Sequence, residues 1–392
     1  MDKGSDHLHP CTDRLSEVEL AVHCLLTYSS YPLAFDLILM LAPILSHFDL
    51  PGTLVKTGRF GSGLINETFL CEFSDRGIIR KFILQHINKN VFSRPDLVMA
   101  NVEVVTEHLQ ARLRREGISD PAVVTPALVR ARDGRTFHVD GAGEYWRMFH
   151  FIEEGLVFDR VQDNAHAYEV GRGLGRFQAL VSDLAPDRLH DTLPGFHHTP
   201  RYLAELDDAI RLDAQGRFAA AKIEVAFVRA RRTLVPLLTD LMASGRVPVR
   251  VVHNDPKVNN VMVHAATGKA LCMLDLDTVK PGIVHFDFGD CVRSAANPAG
   301  EDAPDLDKVV FDRSRYAALS RGYLDEARSF LTPAEAELLP ASVKVITFEL
   351  GIRFLADHLR GDTYFRVSRP GHNLHRSRVQ FRLLECMEAA GL

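Results

Sequence analysis

The stretch His253-Asn254-Asp255-Pro256-Lys257-Val258-Asn259-Asn260 decides the fold, together with Leu274-Asp275-Leu276-Asp277, which follows one short predicted hairpin later. A His-x-Asp-x-x-x-x-Asn loop followed by an apolar strand that ends in Asp is typical of kinase-type phosphoryl transfer. That chemistry needs a carboxylate to orient and deprotonate the attacking hydroxyl, and oxygen ligands to hold Mg²⁺ against the triphosphate. The pattern predicts Asp255 as the base and Asn260 and Asp275 as magnesium ligands, with Asp277 as a further candidate ligand.

A purely structural explanation of the same residues has to be weighed against this one. Asp and Asn are common turn and capping residues, so they could simply shape a loop. A calcium loop is excluded, because the pattern with a central Gly and a terminal Glu is absent. Unpaired carboxylates are costly among residues as apolar as those around Asp255, Asp275 and Asp287. The catalytic interpretation is therefore favoured.

The segment 252–293 resembles the aminoglycoside phosphotransferase superfamily, small-molecule kinases whose fold is like that of protein kinases. The resemblance implies a base, two magnesium ligands and two structural supports of the loop, namely Asp255, Asn260 with Asp275, and His253 with Asp287. One departure is Asn254, where many members have Gly. Asn tolerates a positive φ better than most other residues with a side chain, so this departure costs little.

Five further stretches look like N-acetylhexosamine 1-kinases, a branch that phosphorylates the anomeric hydroxyl of GlcNAc and GalNAc. They are residues 63–69, 82–85, 145–148, 351–355 and 361–365. The resemblance implies ATP and Mg²⁺ as cofactors and an N-acetylhexosamine as the acceptor. Family membership carries chemistry better than substrate, so an aminoglycoside, choline or another hydroxylated metabolite remains an alternative acceptor. A non-catalytic nucleotide-binding pseudokinase is the alternative from a different class.

The order of the elements predicts an α+β, bilobal, protein-kinase-like fold. We expect an N-terminal extension over residues 1–47 that is partly helical, and a small antiparallel-sheet N-lobe over 48–150 that binds the nucleotide. A mostly helical C-lobe over 151–392 should carry the catalytic loop and the acceptor pocket. A chain of 392 residues is long enough for two lobes with cores of their own.

The predicted nucleotide site begins at Gly61-Ser62-Gly63, a loop between two strands where backbone N–H groups can approach phosphates; Asn66 and Thr68 follow it. Kinases usually place a Lys on the third strand, and here the expected position holds Gln85. Lys81 lies about 13 Å back along that strand, too far to substitute. Gln85 can donate to phosphate but brings no charge, and the pseudokinase alternative rests on this point.

Two other N-lobe predictions concern the helix over 101–113 and the hinge between the lobes. Kinases pair the third-strand cation with a Glu of the following helix, and we favour Glu103 for that position over Glu107, one turn away. The hinge should lie at 149–152, where backbone groups of Phe149 and Phe151 would bind adenine.

Beyond the hinge, apolar residues recur at helical spacing. Gly171-Arg172-Gly173-Leu174-Gly175 mimics a dinucleotide-binding fingerprint, but no strand precedes it, so close helix packing explains these glycines better. Two helices are expected over residues 200–245.

The acceptor pocket should lie in the C-lobe beside Asp255. Candidate contacts are His198, Arg201, Arg353 and Tyr364, and the resemblance favours Arg353 as a sugar contact. A structural ion pair between Arg353 and the Glu four residues earlier is the alternative.

Composition limits the partners. A net charge of −5 argues against nucleic acid as the main partner, and six cysteines without C-x-x-C spacing suggest neither a zinc site nor a disulfide framework. Reduced thiols and the lack of a recognisable signal peptide make the cytoplasm the expected compartment. The most apolar stretch, 31–45, is shorter than the roughly 20 residues that span a bilayer, so a helix packed on the N-lobe is expected and no membrane association. Nothing in the sequence indicates an oligomeric state.

Overall fold

The computed structural model of this chain describes residues 31–61 and 65–392, except for the side chains of 31–36. The predictions for the first dozen residues, and for Ser62 and Gly63 in the loop between the first two strands, lie outside the described residues.

The N-lobe is built on a five-stranded antiparallel sheet with the order β1-β2-β3-β5-β4. Its strands are β1 (Thr53–Arg59), β2 (Glu67–Asp75), β3 (Ile78–Ile87), β4 (Phe137–Val139) and β5 (Tyr145–His150). The helix predicted over 31–45 is present as α1 (Tyr31–Leu45), and its Leu41 side chain packs with Phe69, Leu84 and Met148 of the sheet. One face of the sheet is therefore covered by α1, and the other faces the C-lobe.

Helix α2 (Pro95–Arg115) joins the two lobes. It begins before residue 101, because Pro95 fits the first turn of a helix, where no backbone donor is needed. Its apolar face, including Val102 and Val105, belongs to the same buried cluster as Leu174 of the C-lobe. The Asn101 side chain also donates to the backbone oxygen of Val279 at 3.0 Å. Packing and hydrogen bonding thus fix α2 against the segment that follows the Leu-Asp-Leu-Asp stretch.

The C-lobe is mostly helical, as predicted. Its helices are α3 (Asn164–Leu180), α4 (Thr199–Leu212), α5 (Lys222–Ala230), α6 (Leu237–Ala243), α7 (Val284–Ala295), α8 (Arg313–Ala327), α9 (Pro333–Arg360) and α10 (His372–Ala389). Residues 200–245 hold three helices rather than the two expected. Within the described ranges, no helix is long and apolar enough to cross a membrane.

Two small sheets carry the loops of the C-lobe. One contains β6 (Gly155–Leu156), β8 (Val261–His264) and β9 (Ala270–Met273), and the other pairs β7 (Arg250–Val252) with β10 (Lys280–Gly282). The loop 253–260 connects β7 to β8, and Asp275 and Asp277 connect β9 to β10. Strand pairing therefore brings both acidic segments of the sequence to one end of the lobe. The chain has the α+β architecture that the sequence predicts.

The glycines of α3 serve close helix packing, as expected. A Cβ added at Gly171 would lie 2.0 Å from the backbone oxygen of Leu319 in α8. In the other direction, a Cβ at Gly322 of α8 would lie 2.0 Å from the backbone oxygen of Tyr168. The two helices approach each other so closely that their backbones are in contact.

We expect Gly322→Ala to destabilise the protein by about 1–3 kcal/mol, because the added methyl group forces the backbones of α3 and α8 apart. Chemical denaturation of the two proteins measures this difference. Gly141→Ala is the matched control, since a Cβ there meets no atom within 4 Å. Equal losses in both variants would show that the contact is not the cause.

Candidate active site

The loop 253–260 is held by the buried side chain of Asp287, in the first turn of α7. Its carboxylate accepts the backbone N–H groups of His253 at 2.8 Å and Asn254 at 2.6 Å, and the amide of Gln178 at 2.8 Å. Complete burial raises the pKa of this carboxyl, and His253 and the donors partly offset that effect. Asn254 has a φ of 66°, the conformation that Asn tolerates best among residues with a side chain. The loop is therefore fixed by a buried acceptor rather than by packing alone.

His253 connects this loop to the second acidic segment. Its Nε2 atom lies 2.8 Å from the backbone oxygen of Leu274, and its Nδ1 atom accepts the backbone N–H of Asp255 at 3.3 Å. These bonds assign the proton to Nε2, where it is donated to the carbonyl group. The imidazole thus couples the position of Asp255 to that of the residue just before Asp275.

Asp255 combines one occupied and one open carboxylate oxygen. Its Oδ2 atom lies 3.0 Å from Nζ of Lys257 and 3.3 Å from Nδ2 of Asn260, which also donates to the Asp255 backbone oxygen at 2.7 Å. Oδ1 accepts no hydrogen bond from the residues that the structure describes, so it can receive the hydroxyl of an acceptor. Sequence reasoning missed Lys257, although its place two residues after Asp255 was a usable signal. Asp255 raises the pKa of this amine, which fixes a positive charge beside the predicted base.

Asp275 follows β9 in the left-handed conformation, with a φ of 56°. Water reaches its side chain from the cleft, and no hydrogen bond to it is made within the described ranges. Partial loss of water around its carboxyl group, and then the Asp277 and Asp255 carboxylates, raise its pKa to about 7. Such an accumulation of negative charge suits a cation.

The donor set fits magnesium better than a transition metal. Across the described chain, no three His, Cys, Asp or Glu side chains converge into a preformed metal cluster. Mg²⁺ is usually held by one or two carboxylates together with substrate phosphates, rather than by a cage of protein ligands. Asp275 and the neighbouring Asn260 would therefore hold the ion with the nucleotide.

Asp277 has a different environment from the one expected for a metal ligand. It is buried, its Oδ1 atom forms an ion pair with Arg147 of β5, and its Oδ2 atom accepts the Asn66 amide at 2.7 Å. Both oxygens are therefore occupied by donors from the N-lobe. The structure places Asp277 as a contact between the lobes, and leaves the open carboxylate to Asp275.

Two of the residues predicted to bind the nucleotide lie in a row with a third, unpredicted residue across three strands. Thr68 on β2, Gln85 on β3 and Arg147 on β5 are direct neighbours in the register. The Gln85 amide donates to Thr68 Oγ1 at 3.1 Å, and its oxygen accepts Nε of Arg147 at 3.0 Å. Asn66, just before this row, accepts the backbone N–H of Asn88 at 3.0 Å. Gln85 is therefore engaged by its neighbours, and the cation at this place comes from β5.

Glu103 does not face this row, contrary to the prediction. Its carboxylate pairs with Arg130 at 3.1 Å and lies 3.4 Å from the Thr136 hydroxyl. The side chain of α2 that contacts Arg147 is Met99, whose sulfur lies 3.8 Å from Nη1. The rotation of α2 places an apolar residue where the prediction required an acid.

In the glycine loop, the conformation of Gly61 agrees with the prediction, whereas the backbone of the hinge differs from it. Gly61 has a φ of 76°, which favours glycine, and a Cβ there would meet no atom of the described residues within 4 Å. The backbone N–H of Phe151 donates to the Lys81 oxygen at 3.2 Å, so it belongs to the sheet and is not open to adenine as predicted. Its ring packs against Phe60 at 5.8 Å, while the Phe149 ring lies under Arg147 at 5.1 Å. Both residues thus contribute aromatic rings here, and the N–H of Phe151 is engaged within the sheet.

Arg353 on α9 lies within a cage of aromatic rings. Its guanidinium carbon is 4.9–5.8 Å from the centres of four rings, those of Phe196, Tyr202, Tyr364 and Phe365. The alternative ion pair with Glu349 is not formed, because that carboxylate binds His197 at 2.9 Å and Thr199 at 2.6 Å. No described residue forms an ion pair or a hydrogen bond with the guanidinium. Its donors are therefore available to a ligand.

Asp357, one turn after Arg353 on α9, shapes the loop that completes the cage. Its buried carboxylate accepts the successive backbone N–H groups of Thr363, Tyr364 and Phe365 at 2.8–2.9 Å. These bonds hold the two rings of the loop against Arg353. Sequence reasoning missed Asp357, because its partners are backbone groups that no side-chain pattern reveals.

His197 links the aromatic cage to the catalytic loop. Its Nε2 atom lies 3.3 Å from the backbone oxygen of Asn254, next to Asp255, and the preceding residue, Phe196, contributes its ring to the cage. The pKa of Arg353 is raised: burial opposes its charge, but the Tyr202 hydroxyl and other acidic groups outweigh burial. A guanidinium that stays charged therefore lies in the cage that His197 links to the catalytic loop.

The two other predicted acceptor contacts serve local structure. His198 caps α4 by accepting the backbone N–H of Arg201 at 3.1 Å. Arg201 pairs with Glu205 at 3.0 Å and donates to the Pro194 oxygen at 2.6 Å. Both side chains are exposed, and both are used within this helix turn. Of the four predicted contacts, only Arg353 and Tyr364 come together.

Similarity to solved structures supports this arrangement at the level of fold. The microcompartment-associated aminopropanol kinase is 19% identical, with a TM-score of 0.56 over 90% of this chain and 98% of that one. Choline kinase from Cryptosporidium parvum Iowa II is 12% identical, with a TM-score of 0.55 over 90% and 95%. Spectinomycin phosphotransferase, in complex with ADP and spectinomycin, is 10% identical, with a TM-score of 0.54 over 91% and 98%. The predicted protein-kinase-like fold is confirmed.

The sequence itself matches a family. Residues 56–329 match the phosphotransferase enzyme family (APH). This span includes the catalytic loop 253–260, the segment with Asp275 and Asp277, and most of the N-lobe sheet. The resemblance is confirmed at this level, and the N-acetylhexosamine 1-kinase branch stays a prediction. The chain belongs to the phosphotransferase enzyme family, and it is therefore a phosphotransferase.

Proposed function

We propose that this enzyme transfers the γ-phosphoryl group of ATP to the anomeric hydroxyl of an N-acetylhexosamine. The observation that carries the acceptor class is Arg353, a guanidinium without an ion-pair partner among the described residues, beside the catalytic loop. A fixed cation there favours an acceptor that offers a hydrogen-bond acceptor, such as the carbonyl oxygen of an N-acetyl group.

The same cation disfavours an amino alcohol as the acceptor. Aminopropanol and choline kinases of the same fold act, by their names, on positively charged compounds. A cationic acceptor in this pocket would be repelled by Arg353, and like charges in a partly desolvated site interact strongly. Aromatic rings such as Tyr364 and Phe196 give a neutral sugar an apolar surface, together with a few polar contacts.

The roles of the catalytic loop follow from its contacts. Asp255 would orient the acceptor hydroxyl with Oδ1 and accept its proton, while Lys257 holds Oδ2. Asp275 and Asn260 would hold Mg²⁺, which neutralises the charge of the triphosphate when it is bound. Asp287 and His253 fix the positions of these groups through hydrogen bonds to the backbone.

An ATP/Mg²⁺ coupled assay against N-acetylglucosamine, N-acetylgalactosamine, glucose, galactose, choline, ethanolamine and kanamycin tests the proposal, with ³¹P NMR of each product. We expect turnover with an N-acetylhexosamine and a product with phosphate at the anomeric carbon. Turnover with choline or ethanolamine alone would contradict the charge argument and discard the sugar. The absence of turnover with every acceptor, despite ATP binding, would favour the pseudokinase alternative.

We expect Arg353→Met to lower kcat/KM for the acceptor by about 10- to 100-fold, the loss that follows from removing a hydrogen bond from a charged group. The KM for ATP should change by less than about twofold, because Arg353 lies in the acceptor region. Steady-state kinetics with each substrate varied in turn measures both effects. Arg201→Met is the matched control, since that side chain is exposed and serves α4. Equal losses of kcat/KM in the two variants would show that Arg353 does not contact the acceptor.

A further inference from the structure

We propose that Arg147 binds the phosphates of the nucleotide in place of the lysine that the third strand lacks. This inference rests on the proposed use of ATP as the phosphoryl donor, and it concerns a residue on β5 that the motif analysis did not single out. It also removes the main objection to catalysis, which is the uncharged Gln85.

The register of the sheet places Arg147 at the required position. Gln85 stands where a kinase lysine is expected, and Arg147 is its direct partner on the neighbouring strand. Directly opposed residues of an antiparallel pair project to the same face of the sheet. The Arg147 side chain crosses over Gln85, with Nε donating to the amide oxygen at 3.0 Å. A cation from the next strand thus reaches the place that β3 leaves uncharged.

Lys81, the cation of β3 considered as a substitute for the missing lysine, is already paired with another residue. Lys81 pairs with Glu153 at 2.7 Å. Arg147 is only 1% exposed, and its ion pair with Asp277 holds it toward the segment that carries Asp275. An arginine so placed lies next to the predicted metal position, where the phosphates of a nucleotide would have to lie.

Arg147 retains donors for a ligand after these contacts are made. Nε binds Gln85, and Nη1 binds Asp277 and contacts the Met99 sulfur. Nη2 donates to no residue in the described part of the chain. A guanidinium has five N–H donors, and its planar edge matches phosphate oxygens well. The side chain can therefore keep its link to the C-lobe and bind a phosphate at the same time.

The pair with Asp277 replaces the pair that protein kinases make between a strand lysine and a helix glutamate. Here α2 offers Met99, which cannot compensate a charge, and Asp277 supplies the acid instead. The phosphate-binding cation is thereby anchored to the C-lobe, directly beside the predicted metal ligand Asp275.

Binding of ATP, ADP and adenosine to the full-length protein tests the proposal without any acceptor. Calorimetry of Arg147→Met should show affinities for ATP and ADP reduced about 10- to 100-fold, and an affinity for adenosine within about twofold of the wild-type value. Loss of phosphate recognition changes only the first two, whereas a distorted cleft would weaken all three.

The single substitution leaves Asp277 buried without its partner, which can prevent folding. The double variant Arg147→Met/Asp277→Asn removes that charge, so the same three titrations are made on it as well. A selective loss of ATP and ADP affinity in this variant supports the proposal. Wild-type affinity for ATP, or an equal loss for adenosine, overturns it. If the wild-type protein itself binds no ATP, the proposed function fails first, and this inference fails with it.

Discussion

Asp255→Asn should lower kcat about 1,000-fold, within the range by which a positioned general base accelerates a reaction. The substitution keeps the size of the side chain, and its amide oxygen can still accept from Lys257 or Asn260, the two donors at Oδ2. What it removes is the ability to take up the proton of the acceptor hydroxyl. Affinity for ATP should stay within about twofold, because none of the contacts of Asp255 reaches the N-lobe sheet.

Two measurements separate these effects. Coupled turnover at saturating acceptor gives kcat, and calorimetry gives ATP affinity for the same preparation. Asp208→Asn is the control, because that carboxylate is exposed and, among the described residues, pairs only with Arg211 of its own helix. A kcat for Asp255→Asn close to the wild-type value would show that Asp255 is not the general base, whichever compound is the acceptor.

The parts of the fold that the sequence predicted well are those set by local patterns. Strand and turn patterns predicted the small antiparallel sheet of the N-lobe, which the structure forms from β1 to β5. The helical stripe of α3 correctly identified the glycine cluster as a packing surface. The loop 253–260 was recognisable because its residues lie close together in the chain, and Asn254 adopts the backbone conformation that its residue type suggested.

The parts that were missed depend on contacts between distant segments. Spacing alone allowed Glu103 to face the sheet, but the apolar side of α2 docks on the C-lobe core and turns Met99 toward Arg147 instead. The role of Arg147 depends on the register between β3 and β5, which no single stretch of sequence determines.

In the acceptor pocket, the sequence-based prediction was wrong by one residue. His198 was predicted as a contact, yet His197 is the residue that bonds to the catalytic loop. His197 has a φ of 58°, a left-handed conformation that reverses the direction of neighbouring side chains. A positive φ is uncommon for any residue other than glycine, so nothing in the local sequence indicated this conformation.

Asp275→Asn and Asp277→Asn should differ sharply, although both remove one carboxylate from the same short segment. Asp275 has no partner among the described residues and opens to the cleft, so its loss should raise the Mg²⁺ concentration needed for half-maximal turnover and lower kcat about 100-fold or more. Asp277 is the buried partner of Arg147. Its substitution should cost roughly 3–5 kcal/mol of unfolding free energy, because the guanidinium is left without compensation.

Titration of turnover with Mg²⁺ at saturating ATP, combined with urea denaturation, measures both quantities for each variant. We expect Asp275→Asn to keep nearly the stability of the wild type and to need a higher Mg²⁺ concentration for half-maximal turnover. Asp277→Asn should show the reverse, with reduced stability and a Mg²⁺ requirement changed much less. If Asp277→Asn raised the Mg²⁺ requirement as strongly as Asp275→Asn, then Asp277 would be a metal ligand as the sequence first suggested. The ion pair with Arg147 would in that case have to open when the nucleotide binds, since one carboxylate oxygen cannot serve both partners at full strength.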